Sequence, residues 1–243
     1  MSKVPRLYLP PSAFSHREVR LEKAQRHYLA NVLRLRTGQR FAAMDGAGKA
    51  WLCEYRESES SRYVEDFPAS PPHGLKLTVG VALCKGSRFE NALERLAELG
   101  VERFLPLHTA RTERKAPSAN KLSRWRQIAE SASALAYRQV PMLVEDPVSL
   151  TEVVKGYTGE IGYCHPGGLA PGDYFVAERS EMLLLVGPEG GFDQNEASRL
   201  GERATQIDLG SYNLRVETAA ALAAGLALQL WRPAQECDPP AST

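Results

Sequence analysis

From Leu75 to Trp231 the apolar positions switch repeatedly between a period of two and a period of 3.6 residues. Leu77, Val79, Val81 and Leu83 alternate and predict a strand over 75–83. Ser87-Arg88-Phe89-Glu90 reads as a capping box opening a helix whose Phe89, Leu93, Leu96 and Ala97 share one face. Gly100 follows, where a helix end favours a left-handed residue. A strand over Arg103–Leu107 comes next, then a helix through Leu122, Trp125, Ile128, Ala129, Ala132 and Leu135. Ser149 and Glu152 form a second capping box, and Ile161–Cys164 and Met182–Val186 read as strands. Asp193 with Glu196 caps a helix through Ala197 and Leu200. Ile207-Asp208-Leu209 is predicted as the last strand, and Val216–Trp231 as the last helix. Such alternation predicts an α/β domain, a parallel sheet with helices on both faces.

Before residue 72 the pattern is different. Arg6–Leu9, Gln39–Met44 and Ala50–Tyr55 read as strands, the last two joined across Asp45-Gly46-Ala47-Gly48 as a hairpin. One helix interrupts, from about Glu22 to Leu33, with Ala24, Tyr28, Leu29, Val32 and Leu33 at helical spacing. This mixture predicts a small β-barrel. Between the two patterns, Pro68, Pro71 and Pro72 break any regular element, so a linker is expected over Phe67–Gly74. The predicted domains are therefore 1–72 and 73–243, and no internal repeat is visible.

Composition narrows the function classes. The 243 residues are 43% hydrophobic and 24% charged, ordinary for a globular chain. No apolar run approaches the ~20 residues of a membrane span. Met1–Pro5 lacks the apolar core of a secretory signal, which predicts a cytoplasmic protein. Cys53, Cys84, Cys164 and Cys237 form no C-x-x-C pair and lie near no histidine at zinc spacing, so free thiols and no metal are expected. Net charge is only +1, but residues 1–72 carry 12 Lys/Arg against 8 Asp/Glu. Arg34 and Arg36 belong to that excess. Arg103, Arg111, Arg114, Lys115, Lys121, Arg124 and Arg126 form a second one, opposed by Glu113 alone. Either cluster suits phosphates, and either also suits a plain solvated face.

Two loops carry candidate chemistry. Gly187-Pro188-Glu189-Gly190-Gly191-Phe192 sits between a strand and a capped helix, where open α/β sheets bind ligands. Its glycines permit close backbone approach and positive φ. No Walker Gly-Lys-Ser/Thr ending and no G-x-G-x-x-G pattern is present, and the Glu189 carboxylate would repel phosphate. A ligand without phosphate is favoured, and S-adenosyl-L-methionine is one. The second loop is Leu209-Gly210-Ser211-Tyr212-Asn213-Leu214-Arg215, leading into Val216-Glu217-Thr218. Glu217 and Thr218 fall in the first turn of the last helix, where N–H groups are open, and Arg215 stands just before it.

Together, "LLLVGPEGGFDQNE" and "LGSYNLRVETAA" resemble the signature of the bacterial 16S rRNA uridine-N3 methyltransferases (ribosomal RNA small subunit methyltransferase E) of the SPOUT superfamily. The resemblance extends over nearly the whole chain. "HYLANVLRLRTGQRFAAMDGAGKAW" is similar to that family's PUA-like RNA-binding barrel, and "ALCKGSRFENALERLAELGVERFLPL" to the start of its catalytic domain. The resemblance implies a C-terminal trefoil knot, with S-adenosyl-L-methionine cradled by Gly187, Pro188, Glu189, Gly190 and Gly191 and by Leu209, Gly210 and Leu214, with Thr218 beside them. It implies a homodimer acting on 16S rRNA or the small ribosomal subunit. Arg34, Arg36, Arg111 and Arg138 are the expected RNA contacts. The family's acid-Gln-x-Gly-Arg stretch is replaced here by Ser133–Tyr137, with Arg138 one place later, and Tyr212 stands where a basic residue is common.

Uridine N3 carries a proton and attacks poorly until it leaves. Arg215 is the candidate to stabilise the resulting anion, and Glu217 to orient Arg215 or accept the proton. Three rivals remain open on sequence alone: a SPOUT enzyme with another RNA target, an RNA-binding ribosome-assembly factor without turnover, and a nucleotide hydrolase.

Overall fold

A computed structural model describes residues 4–68, 73–84, 86–112, 116–176 and 179–231. Residues 69–72 of the expected linker, Glu113, Arg114 and Lys115 of the basic run, and Cys237 lie outside them. The chain forms two compact units, Met1–Pro72 with Ala129–Met142, and His73–Ile128 with Leu143–Thr243.

The first unit is a six-stranded sheet: β1 (Arg6–Tyr8), β2 (Phe14–Ser15), β3 (Glu18–Arg20), β4 (Arg40–Met44), β5 (Ala50–Glu54) and β6 (Ser60–Asp66). Their order is β1-β4-β5-β6-β3-β2, with only the β1–β4 pair parallel. Asp45 builds the predicted β4–β5 turn, its Oδ1 accepting from the Ala47 and Lys49 backbone N–H groups at 2.8 and 2.9 Å. β2, β3 and β6 carry no apolar alternation; of β6, only Ser61 is buried. The predicted helix is α1 (Lys23–His27), and its continuation over Tyr28–Val32 widens into a π turn. The Leu33 N–H reaches back five residues to the Tyr28 carbonyl, and Leu29 is set fully into the core with Val19, Phe41 and Cys53. Arg34 then takes φ +56°, a left-handed conformation that a non-glycine residue adopts at a cost.

The second unit is a parallel sheet of β7 (Lys76–Ala82), β8 (Arg103–His108), β9 (Leu143–Val144), β10 (Val148–Ser149), β11 (Glu160–Leu169), β12 (Glu181–Val186) and β13 (Thr205–Ile207). The order is β10-β8-β7-β12-β11-β13, with β9 also paired to β8. Its helices are α2 (Arg88–Leu99), α3 (Ala119–Leu135, whose last residues belong to the first unit), α4 (Leu150–Gly156), α5 (Pro171–Tyr174), α6 (Gln194–Arg203) and α7 (Val216–Leu230). Leu183 and Leu185 cluster with Leu150 and Val154 of α4 and Leu200 of α6. Met182, Leu184 and Val186, in register with Leu77, Val79 and Val81, therefore face the opposite side. There α7 packs on β7, β12 and α2. This is the predicted two-sided α/β architecture, and its strand order is consistent with the knotted SPOUT fold. Among the described residues no helix is long and apolar enough to cross a membrane.

Three local expectations fail for identifiable reasons. Ser87 makes no capping bond: its backbone is helical, φ −77° and ψ −11°, and Glu90 instead accepts from Arg124 Nε and Nη2, both at 2.9 Å. Leu135 leaves the apolar face of α3 and is 75% exposed. The last strand ends at Ile207 rather than Leu209, because Asp208 turns away to bind two loop amides.

Candidate active site

β12 lies between β7 and β11, so the loop that follows it borders two hollows at the carboxyl edge of the sheet. The first, about 340 Å³, is closed by the ends of β11, β12 and β13. Its lining brings together eight of the nine residues proposed from sequence to hold a cofactor: Gly187 to Gly191, Leu209, Gly210 and Leu214. Thr218 is exposed and outside the lining; Val216 and Ala219 present that turn of α7 instead.

Sequence reasoning missed the wall made by Cys164, His165, Pro166 and Asp208. β11 pairs with β13 through Cys164, loops out over residues 165–168, and returns at Leu169, which pairs with Ile207 again. Asp208 ties this bulge to the next loop: its Oδ2 accepts from Gly167 N–H at 2.8 Å and its Oδ1 from Gly210 N–H at 2.9 Å. The Gly167 amide first, and then the Gly210 amide, hold its carboxyl below the usual range. A depressed value means the contribution is complete above the unfolded carboxyl's ~3.9 and is lost as pH falls through the folded value. Ligand affinity should therefore stay level from neutrality to about pH 4 and decline below it. Titration calorimetry across that range checks this, with Asp208→Asn expected to shrink the acid-limb decline, leaving the part that Glu189 of the same lining contributes.

The glycine loop differs in one respect from the sequence expectation. Gly191, at φ +70°, carries the left-handed backbone, whereas a Cβ on Gly190 would meet the Arg111 side chain at 3.3 Å. Arg111, proposed as an RNA contact, donates from Nη1 to the Gly190 carbonyl. Glu189 accepts from Arg88. Its own backbone N–H, and then Arg88, hold its carboxyl below the usual range. Phe192 turns into the core beneath the loop and meets Tyr163 edge to face.

The two proposed catalytic residues sit at the start of α7. Arg215 is the N-cap, exposed, without a side-chain capping bond. Glu217 is 7% exposed, with Oε2 lacking a hydrogen-bond partner, and no ion pair joins it to Arg215 among the described residues. Neither lines the cofactor-sized pocket. Burial pushes the Cys164 thiol up to about 12, and burial with the charges of Glu189 and Glu217 pushes Cys84 up to about 11, so both stay neutral thiols rather than nucleophiles.

Arg34, Arg36 and Arg138 belong to the first unit. Arg34 and Arg36 are exposed beside the π turn. α3 ends at Leu135, and Tyr137 takes φ +65°, so Arg138 lies beyond the helix. Its backbone is fixed by the Ser133 carbonyl and by Tyr8 Oη at 2.7 Å, while Arg6 stacks 3.3 Å from the Tyr137 ring centroid.

Comparison with known proteins agrees with this geometry. The RNA methyltransferase domain family matches residues 71–228, and the RNA methyltransferase PUA domain matches residues 21–64. The ribosomal RNA small subunit methyltransferase E of Synechocystis is 33% identical over 228 residues, 90% of this chain and 75% of that protein. Its counterpart from Mycobacterium bovis is 29% identical, over 82% of this chain and 81% of that protein. Among solved structures, a Legionella pneumophila methyltransferase with bound SAM superposes at TM-score 0.86 with 26% identity, covering 94% of this chain and 98% of that one. Ribosomal RNA small subunit methyltransferase E of Neisseria gonorrhoeae, bound to S-adenosyl methionine, gives 0.85 with 25% identity over 94% and 98%. A PUA-like unit, a SPOUT sheet with a glycine loop at its switch point, and these relatives converge: the chain belongs to the RNA methyltransferase family, in its ribosomal RNA small subunit methyltransferase E branch.

Proposed function

We propose that this protein methylates N3 of a uridine in 16S ribosomal RNA, using S-adenosyl-L-methionine, and that it does so as a cytoplasmic homodimer. The observation that carries the cofactor reading is the charge of the first pocket. Among the described residues its lining holds the carboxylates of Glu189 and Asp208 and neither lysine nor arginine, beside apolar Val186, Leu209, Leu214, Val216 and Ala219. Such a lining disfavours a phosphate and suits a nucleoside bearing a cation. Gly187, Pro188, Glu189, Gly190 and Gly191 would hold it from one side, and Leu209, Gly210 and Leu214 from the other; Thr218 is exposed and lies outside this lining. When bound, S-adenosyl-L-methionine supplies a methyl group on a positively charged sulfur, open to in-line attack.

The protein's own groups do the rest. The target uridine must leave its stack to reach the pocket, as in other base-modifying enzymes. Arg215, always charged, stabilises the oxyanion that forms as the N3 proton departs. Glu217, buried with an oxygen free of hydrogen bonds, is the candidate to take that proton or to orient Arg215. Comparing nucleosides of small-subunit RNA by mass spectrometry, with and without the gene, tests the assignment. Loss of N3-methyluridine supports it; loss of a 2′-O-methyl or another methylated base redirects it.

Arg34 and Arg36, in the first unit, are further proposed RNA contacts. The Arg34→Ala/Arg36→Ala protein should show a log–log salt slope for RNA binding shallower by ~0.7 to ~0.9 for each phosphate no longer neutralised. An unchanged slope would reduce both to solvated surface. The dimer is checked by sedimentation of an active preparation at micromolar concentration, where a two-chain mass is expected.

A further inference from the structure

The second hollow at the sheet edge, about 610 Å³, lies between the loops after β7, β8 and β12 and shares Pro188 and Glu189 with the first. Its charge is opposite: among the described lining residues Arg88, Arg111 and Lys121 outnumber the acid Glu189. We propose that this cleft receives the phosphodiester backbone flanking the target nucleotide, with Lys121 as the residue that positions it. The inference rests on the methyltransferase reading above, in which the target uridine comes to the neighbouring pocket that shares Pro188 and Glu189 with this cleft.

Four observations favour this. Arg88 is held by Glu189 and Arg111 by the Gly190 carbonyl, so both cations brace the glycine loop. Lys121 pairs with no carboxylate among the described residues; its ammonium lies 5.3 Å from the Trp125 ring centroid. Among those residues its charge is uncommitted. Trp125 lines the same cleft and is 1% exposed, yet its buried Nε1 has no acceptor among the described residues. A buried donor without an acceptor is uncommon and marks a place for a ligand or water oxygen. Finally, Ser87 and Arg88 bring the first turn of the twelve-residue α2 to the cleft, with no side-chain cap on its amides. Helix N-termini favour anions. The two hollows thus sort a nucleotide by charge, its phosphates drawn to Lys121 and excluded from the acidic cofactor pocket.

The test uses the full-length protein and small-subunit RNA. Lys121→Ala should raise KM for RNA about three- to tenfold and shallow the salt slope by ~0.7 to ~0.9, with kcat and S-adenosyl-L-methionine affinity unchanged. Lys121→Arg should restore KM. Lys155→Ala removes an equal charge from α4 and should leave KM as it was. A wild-type KM and slope in Lys121→Ala, or an equal effect in Lys155→Ala, overturns the proposal. If the wild-type protein methylates no small-subunit RNA, the functional reading fails separately. Fluorescence anisotropy with a single-stranded, uridine-rich oligonucleotide then decides the cleft on its own, an unchanged Kd in Lys121→Ala refuting it.

Discussion

Replacing Arg215 by alanine should slow single-turnover methylation of small-subunit RNA by on the order of 10²–10³, the usual loss for one preorganised donor to a developing oxyanion. Cofactor affinity should change little, since Leu214 and Val216 line the pocket proposed for the cofactor and Arg215 between them does not. Its location supports a chemical rather than a structural role. Arg215 caps the N-terminus of the fifteen-residue α7 without a side-chain capping bond. Arginine is a poor N-cap, and a cation there opposes the helix dipole. Stability should therefore be unchanged or slightly raised in Arg215→Ala, which separates lost chemistry from lost fold. A normal single-turnover rate would remove Arg215 from the mechanism. Arg138→Ala belongs in the same assay. The family's arginine place holds Tyr137, and Arg138 can stand in only if the helix has ended, since a one-residue offset in a helix turns a side chain by ~100°. α3 does end, at Leu135. A reduced rate in Arg138→Ala supports the replacement; a normal rate leaves the departure uncompensated.

What the sequence made legible was short-range. The Ser149/Glu152 and Asp193/Glu196 capping boxes form as the spacing predicts, because each needs only four consecutive residues. The glycine loop was legible for the same reason, and eight of nine proposed cofactor residues meet in one pocket. Features that depend on distant partners were not. Glu90 leaves the Ser87 box for Arg124, 34 residues on. Arg111 reads as a free surface cation until Gly190, 79 residues on, takes its Nη1. His165 and Pro166 look like the end of a strand; only pairing of both Cys164 and Leu169 with Ile207 makes them a pocket wall. Strands β2, β3 and β6 were silent because their positions carry too few apolar side chains to show a period of two.

That wall leads to the second large effect. Gly168→Ala should cost about 3 kcal/mol of stability, at the upper end for overpacking, and weaken cofactor binding at least tenfold. A Cβ at Gly168 would lie 2.4 Å from the Gln206 carbonyl carbon and oxygen and 2.6 Å from the Ile207 nitrogen. All three are backbone atoms of β13, so no side-chain rotation relieves the clash; the bulge or the strand must move. Several bonds hold them together: Gln206 Nε2 donates to the Pro166 carbonyl at 2.7 Å, Gly167 N–H to Asp208 Oδ2 at 2.8 Å, and Asp208 N–H to the Leu169 carbonyl at 2.9 Å. Displacing the bulge strains all three and shifts His165, Pro166 and Asp208 in the pocket lining. For a chain of this size the melting midpoint should fall by roughly 6–12 °C. Gly201→Ala is the control: nothing lies within 4 Å of its Cβ, and it sits inside α6, so alanine there should be neutral or stabilising by up to ~1 kcal/mol. Thermal melts and calorimetry on the two variants decide the matter. A wild-type midpoint and affinity in Gly168→Ala would mean that the bulge is not clamped on β13 and does not build the cofactor pocket.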